Sequence, residues 1–542
     1  MALYKKEVRN VIIGNSDIVN LRKKGEGKVT EIQLKEVLQR YNLRDSLLAL
    51  GGISAFIYNA HDSEKISNSA YKEPGSGTII TQFALAYLAN ILIISGANDY
   101  NSKSLGDKDN ILILANMYFE CLVQPELAQD YGEMDFAKFR SSMIRMHHEQ
   151  MGSQFSPAIL ISRSIVLFID LVNNRSDPKV GNLSNIFKEN TGLDIYECYV
   201  LSLAALGLSQ KSILISPKNL SISSKGRLSH ILNYEKAKKF LDFLSADYES
   251  FRGADSLHNT NLDPLFTKTR FNPLSMFPVI RSNIDKGRDL YIVANLADFV
   301  SRAYAGIYWW FHKYFESKGQ QIAFRNYFGY VFQDYVGIIL KGIYGDDTKP
   351  EVLYGKGLKF FDWWLERDGK VYLFEVKANQ FSLDTLRIAE SKDIVNKEIK
   401  KLTGAISQMY RRINDIQKYP ELNMFRDKKL VPIIVFLEIP FVSTNFYEEL
   451  LKKELSGMET RDGLNGLADF LYYCINIEDL EVFDSTENRL DLEDVLRAVK
   501  IGMAEGFRSV LSKNGITDFH NKILQKRYHD FFTEVGVVRQ PE

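Results

Sequence analysis

Lys359-Phe360-Phe361-Asp362-Trp363-Trp364-Leu365-Glu366-Arg367-Asp368-Gly369-Lys370-Val371-Tyr372-Leu373-Phe374-Glu375-Val376-Lys377 is the stretch that decides the fold of the C-terminal half. Asp-Gly between two runs rich in aromatic and β-branched residues is a hairpin signal, because both central residues of a type I′ turn need positive φ. With Asp368 and Gly369 at the turn, Arg367 pairs with Lys370, and the same register sets Asp362 across from Glu375. Side chains alternate along a strand, so Lys377 shares the face of Glu375. Phe361, Trp363, Leu365, Tyr372, Phe374 and Val376 collect on the other face. All are apolar or aromatic, and that face is expected to be the buried one.

Two carboxylates opposed across neighbouring strands repel unless a positive charge offsets them. A divalent cation is the natural candidate, and paired carboxylates completed by water suit Mg²⁺ or Mn²⁺. Lys377 beside them is a point charge placed against a phosphate or an attacking water. A D…ExK spacing alone is common. Here the register, the one-sided apolar face and the flanking helices agree.

Outward from the hairpin, residues 323–343 read as a helix, 351–354, 359–366 and 371–378 as strands, 393–418 as a long helix and 430–438 as a buried strand. This α-β-β-β-α-β order, with Asp362 ahead of Glu375-Val376-Lys377, resembles the PD-(D/E)xK nuclease superfamily, also described as restriction-endonuclease-like. The resemblance covers about 323–438 and lacks the proline before the aspartate, since Phe361 stands there. It implies that Asp362 and Glu375 bind the metal, that the Val376 carbonyl is a further ligand, and that Lys377 is the catalytic lysine. The helix before the strands carries Gln333 and Asp334 between Gly329 and Gly337, where many such nucleases have a glutamate, which puts a second metal in doubt.

On the helix after the strands, Ile399, Leu402, Ile406, Met409, Ile413 and Ile416 form an apolar stripe, and Lys397, Lys401, Gln408, Arg411 and Arg412 take the opposite face. The resemblance implies that Gln408 approaches the active centre, although Tyr410 follows it two residues on rather than four. Lys397, Lys401, Arg411 and Arg412 are expected to meet phosphates, which supply affinity without reading sequence.

The chain has 542 residues, too many for one core, and Lys plus Arg (68) balance Asp plus Glu (68). The balance gives no hint of a polyanionic partner, yet a neutral total can hide a basic groove. Residues 1 to about 260 read mainly as helices at 31–58, 78–96, 109–124, 156–172, 194–208 and 233–252. A proline-containing connector at 263–278 follows, and a helical pattern resumes at 288–317. The expected division is a helical region over 1–285, for sensing, partner binding or nucleic-acid binding, and a nuclease domain with a mixed extension over 286–542. The fold class is therefore mixed α+β.

Cys121, Cys198 and Cys474 are too sparse for a disulfide framework or a zinc site and suit a reducing cytoplasm. The apolar run 78–96 reads as a core helix rather than a membrane span. Arg145-Met146-His147-His148-Glu149 has no third ligand nearby and reads as structural. No Walker-type GK[ST] loop occurs. The expected activity is Mg²⁺-dependent phosphodiester hydrolysis, of DNA before RNA, in an anti-phage defence effector. The alternatives are an RNase, a catalytically inert nuclease-like scaffold, and a helical regulator whose partner supplies the activity. A protein partner on the helical region and a homo-oligomer are both compatible with the sequence.

Overall fold

Asp368 and Gly369 reverse the chain with φ of 52° and 72°, the positive pair that a type I′ turn demands. The register follows the expected one: Arg367 pairs with Lys370, Leu365 with Tyr372 and Trp363 with Phe374. This hairpin sits in a computed structural model that describes residues 31–59, 65–67, 70–72, 79–103, 105, 157–172, 175, 177–209, 211–221, 228–259, 272–282, 290–378, 392–438, 447–487, 489–501 and 506–535. Cys121, the 109–124 helix and the Arg145–Glu149 stretch lie outside the described residues.

Around the hairpin the elements run α1 (Gln321–Tyr344), β1 (Lys349–Pro350), β2 (Trp363–Arg367), β3 (Lys370–Lys377), α2 (Lys392–Asp415), β4 (Lys429–Phe436) and β5 (Tyr473–Asn476). They build a five-stranded sheet in the order β5-β4-β3-β2-β1. The β1–β2 and β2–β3 pairs are antiparallel, whereas β3–β4 and β4–β5 are parallel. The expected strand at 359–366 is divided. Leu358–Lys359 pairs with Leu353–Tyr354 in a separate small hairpin, and only Trp363–Arg367 joins the main sheet.

One expectation fails: both faces of β3 are buried. Val371, Leu373 and Glu375 are as enclosed as Tyr372 and Phe374. The reason is position, since β3 is the middle strand and its parallel pairing with β4 requires a crossover that covers a face. α1 packs on the Trp363 face. A Cβ at Gly337 would lie 2.0 Å from the Trp363 ring, so glycine there admits the indole. The Trp363 indole N–H donates to the Gln333 carbonyl oxygen at 2.9 Å. α2 buries Ile399, Leu402, Ile406, Met409 and Ile416 as its stripe foretold.

Internal contacts divide the chain into Met1–Leu160, Ser184–Phe311 and Thr533–Glu542 in one unit, with Ile161–Leu183 and His312–Phe532 in the other. The boundary is therefore not at 285/286. Pro273 and Pro278 belong to the first unit, where Pro273–Ser275 is a 3-10 turn leading into strand Val279–Ser282. The supposed helix at 288–317 begins instead with strand Leu290–Val293, which pairs antiparallel with Val279–Ser282. Its Leu-Tyr-Ile-Val composition favours a pleated, buried surface. The following helix, Leu296–Tyr304, is capped by Asn295.

The first unit is thus not purely helical. A four-stranded sheet joins Leu214–Ile215, Leu290–Val293, Val279–Ser282 and Ser245–Ala246 in that order. Helix Leu43–Asn59 lies close on it, since a Cβ at Gly51 would stand 2.3 Å from the Val293 carbonyl oxygen. Residues 78–96 resolve into strand Ile79–Thr81 and the buried helix Gln82–Ile94.

Segment Ile161–Leu183 joins the second unit because its charges are satisfied there. Buried Arg163 donates to both carboxylate oxygens of Glu481, from Nε at 2.7 Å and from NH2 at 2.5 Å, and the Tyr335 hydroxyl adds a third bond at 2.5 Å. A charge this deep is retained only when paired and hydrogen-bonded. Arg527 likewise holds Asp170 at 2.8 Å. Among the described residues no single helix is long and apolar enough to cross a membrane.

Candidate active site

β3 carries Glu375 and Lys377 on one face near its C-terminal end, and the chain entering β2 brings Asp362 against them. Strand pairing stops at Trp363, so Asp362 uses its side chain instead. Its Oδ2 accepts from the Val376 main-chain N–H at 2.7 Å. Lys377 Nζ donates to Glu375 Oε1 at 2.7 Å and to Gln408 Oε1 at 3.2 Å. Arg412 donates from NH1 to Glu375 Oε2. The expected carboxylate pair, lysine and glutamine therefore meet at one place.

The electrostatics are uneven. Glu375 is only 2% exposed, and each of its oxygens faces a cation, Lys377 on one and Arg412 on the other. Asp362 receives no such direct pair. Burial and then the charge of Glu375 push its carboxyl up to about 7, against the pull of the Val376 N–H and of Lys377 and Arg412. An acid raised in this way is one that burial, helped by a neighbouring carboxylate, keeps from ionising, as at many catalytic carboxylates.

Arg412, expected to meet a phosphate, turns its guanidinium inward to Glu375, 5.9 Å from the centre of the Phe361 ring. Arg412 stands four residues after Gln408 and so shares its side of α2, the side that meets Glu375 and Lys377. Lys397 is exposed and has no ion-pair partner among the described residues. Lys401 pairs with the buried Glu398 at 2.6 Å, and Arg411 pairs with Asp462 at 2.8 Å nearer the surface. Tyr410 leaves the site and stacks edge-on against Phe470.

The helix before the strands brings no acid to this point. Gln333 supplies a main-chain carbonyl to Trp363, and Asp334 pairs with Arg175 at 2.6 Å. Lys359 was not foreseen. Its Nζ is bonded to Glu351 at 2.9 Å, and the charge of Asp362 helps to raise its pKa after the larger effect of Glu351.

Beside the cluster an open groove of about 390 Å³ runs along α2, lined by Tyr354, Leu358, Ser407, Gln408, Arg411 and Arg412 among others. Among the described residues no group of three or more His, Cys, Asp or Glu side chains could hold a metal ion. The donor set that exists is two hard carboxylates, Asp362 and Glu375. It fits a cation that keeps several waters, such as Mg²⁺, better than one that needs a full protein cage. The meeting of Asp362 with Glu375 beside Lys377 is the observation in favour of that fit, and the Arg412–Glu375 pair is what a cation would have to open. No family model, curated protein or solved structure matches this chain, so the functional reading rests on the chemistry of these side chains.

Proposed function

We propose that the C-terminal unit is a metal-dependent nuclease hydrolysing phosphodiester bonds, of DNA in preference to RNA, with Mg²⁺ or Mn²⁺. The observation that carries this reading is the meeting of Asp362, Glu375, Lys377 and Gln408, which arrive from the chain entering β2, from β3 and from α2. The order α1-β1-β2-β3-α2-β4 supports it, because PD-(D/E)xK nucleases arrange their elements in that order. Asp362 and Glu375 would hold the cation, with the Val376 carbonyl as a further donor. When bound, the cation would supply Lewis-acid stabilisation of the charge that develops on the phosphate. Lys377, oriented by Gln408, places an ammonium against the same charge and costs no reorganisation during the reaction. Lys397, Lys401 and Arg411 lie along the exposed side of α2. The ion pair of Arg411 is near the surface and weak, so a nucleic-acid backbone can replace it.

A second reading is favoured by one observation: both oxygens of Glu375 are already neutralised by cations. On that reading the unit binds nucleic acid without cutting it. Mixed DNA and RNA substrates with Mg²⁺ separate the two. Asp362→Ala and Lys377→Ala should each slow cleavage by at least about 100-fold. Cleavage equal to wild type in both variants removes the catalytic assignment, and binding without cutting across divalent metals supports the inert reading.

A further inference from the structure

Arg412 is the residue whose placement the nuclease reading does not explain. A guanidinium meant only for substrate would stand in the groove, yet this one is 14% exposed and bonded to the acid expected to hold a cation. Lys377 is fixed by two contacts, one to Glu375 and one to Gln408. Arg412 shares Glu375 but is mounted on α2, at the end of a long side chain that also borders the groove. Gly404, Gln408 and Arg412 are spaced by four along α2, hence on one side of it. At Gly404 a Cβ would meet nothing within 4 Å, so the groove has free volume beside the helix.

We propose that Arg412 is an internal counter-ion that a divalent cation displaces from Glu375, and that the displaced guanidinium then binds a substrate phosphate in the adjoining groove. The idea rests on the reading of Asp362 and Glu375 as metal ligands. One carboxylate oxygen accommodates Arg412 or an incoming cation far better than both together, since two positive charges at contact distance repel. Released into the groove, a planar five-donor guanidinium suits bidentate recognition of phosphate. Metal and nucleic acid then help each other: the cation frees the arginine, and a phosphate that captures the arginine leaves Glu375 open to the cation. By linkage the two enhancements are equal.

The test is Mn²⁺ affinity, measured by electron paramagnetic resonance on full-length wild type, Arg412→Gln, Arg412→Lys and Asp362→Asn, with and without a short DNA duplex. Without DNA, R412Q should bind Mn²⁺ more tightly than wild type, on the order of tenfold. Duplex should tighten Mn²⁺ binding to wild type and do so much less for R412Q. If R412Q does not fold, R412K carries the same test, because its shorter point charge should hold Glu375 less well and bind Mn²⁺ more tightly than wild type. A folded variant with Mn²⁺ affinity equal to or below wild type overturns the exchange. Wild-type binding that D362N weakens, together with no gain in the arginine variants, removes the exchange and leaves the nuclease reading standing. Wild-type binding that D362N does not weaken, or no Mn²⁺ binding at all, removes both.

Discussion

Strand β3 begins and ends in a cluster of charges, and the two clusters are built on opposite terms. At its start, Lys370 reaches Asp491 at 3.0 Å and Glu493 at 2.9 Å, and Lys429 and Arg497 also close on Glu493. The Tyr372 hydroxyl donates to Asp491 at 2.8 Å. The hydrogen bonds from Lys429, Lys370 and Arg497 outweigh burial and bring the Glu493 carboxyl down to about 2. At the end of the strand, burial and Glu375 instead push Asp362 up to about 7. The fold thus favours the charged form of Glu493 and the protonated form of Asp362. On the proposed nuclease reading, this contrast along one strand separates charges that hold the fold from charges that would hold a cation.

The sharpest way to break this contrast is to exchange the roles of the two ends. Glu375→Ala should lower Mg²⁺-dependent cleavage by about a thousandfold, and Glu493→Gln should leave it within about threefold, as compared by single-turnover assays. Comparable losses from both would end the distinction. Stability should show the reverse. In urea unfolding at pH 8, E493Q should cost about 2 kcal/mol because three cations lose a shared partner. Asp362→Asn should stabilise by about 1 kcal/mol, since it removes a buried charge that its surroundings disfavour.

The two carboxyls also give opposite slopes with pH. Glu493 is depressed from its ordinary 4.5, so its contribution is complete above that value and is lost as pH falls toward 2. Asp362 is raised from 3.8, so the fold retains a proton that the unfolded chain releases, and stability falls as pH rises from about 4 through 7. Denaturant midpoints measured across pH should flatten in the lower window for E493Q and in the upper window for D362N. The smallest effect concerns Gln408, whose bond to Lys377 is a single contact of 3.2 Å. Gln408→Ala should slow cleavage by only about two- to tenfold, the worth of one ordinary hydrogen bond. A larger loss would make Gln408 more than a positioning residue.

How much of this could be read in advance varied with the distance in sequence over which residues act. The hairpin was legible because Asp368 and Gly369 restrict their own backbone and the register follows by counting. The stripe on α2 was legible because helical spacing is local. The inward turn of Arg412 to Glu375 is not legible although its offset from Gln408 is, because nothing local says which face of α2 lies over Glu375. The boundary at 285 rested on prolines, which restrict the backbone near them and say little about where contacts between distant segments thin out. Leu290–Val293 reads as helix in sequence but forms a strand, because a four-residue apolar run has no period long enough to distinguish the two states.

The sequence by itself determined the turn at 368–369, the pairing of β2 with β3, the alternation that puts Asp362, Glu375 and Lys377 on one face, and the apolar side of α2. Each follows from backbone preferences and side-chain spacing within a few residues. Only the tertiary structure decided that Glu375 would be buried beneath Arg412, that both faces of β3 would be covered, and that Arg163 would carry its segment to Glu481. Those outcomes depend on which partners satisfy a buried charge. Such partners come from positions as far apart as 163 and 481, beyond the reach of any local rule.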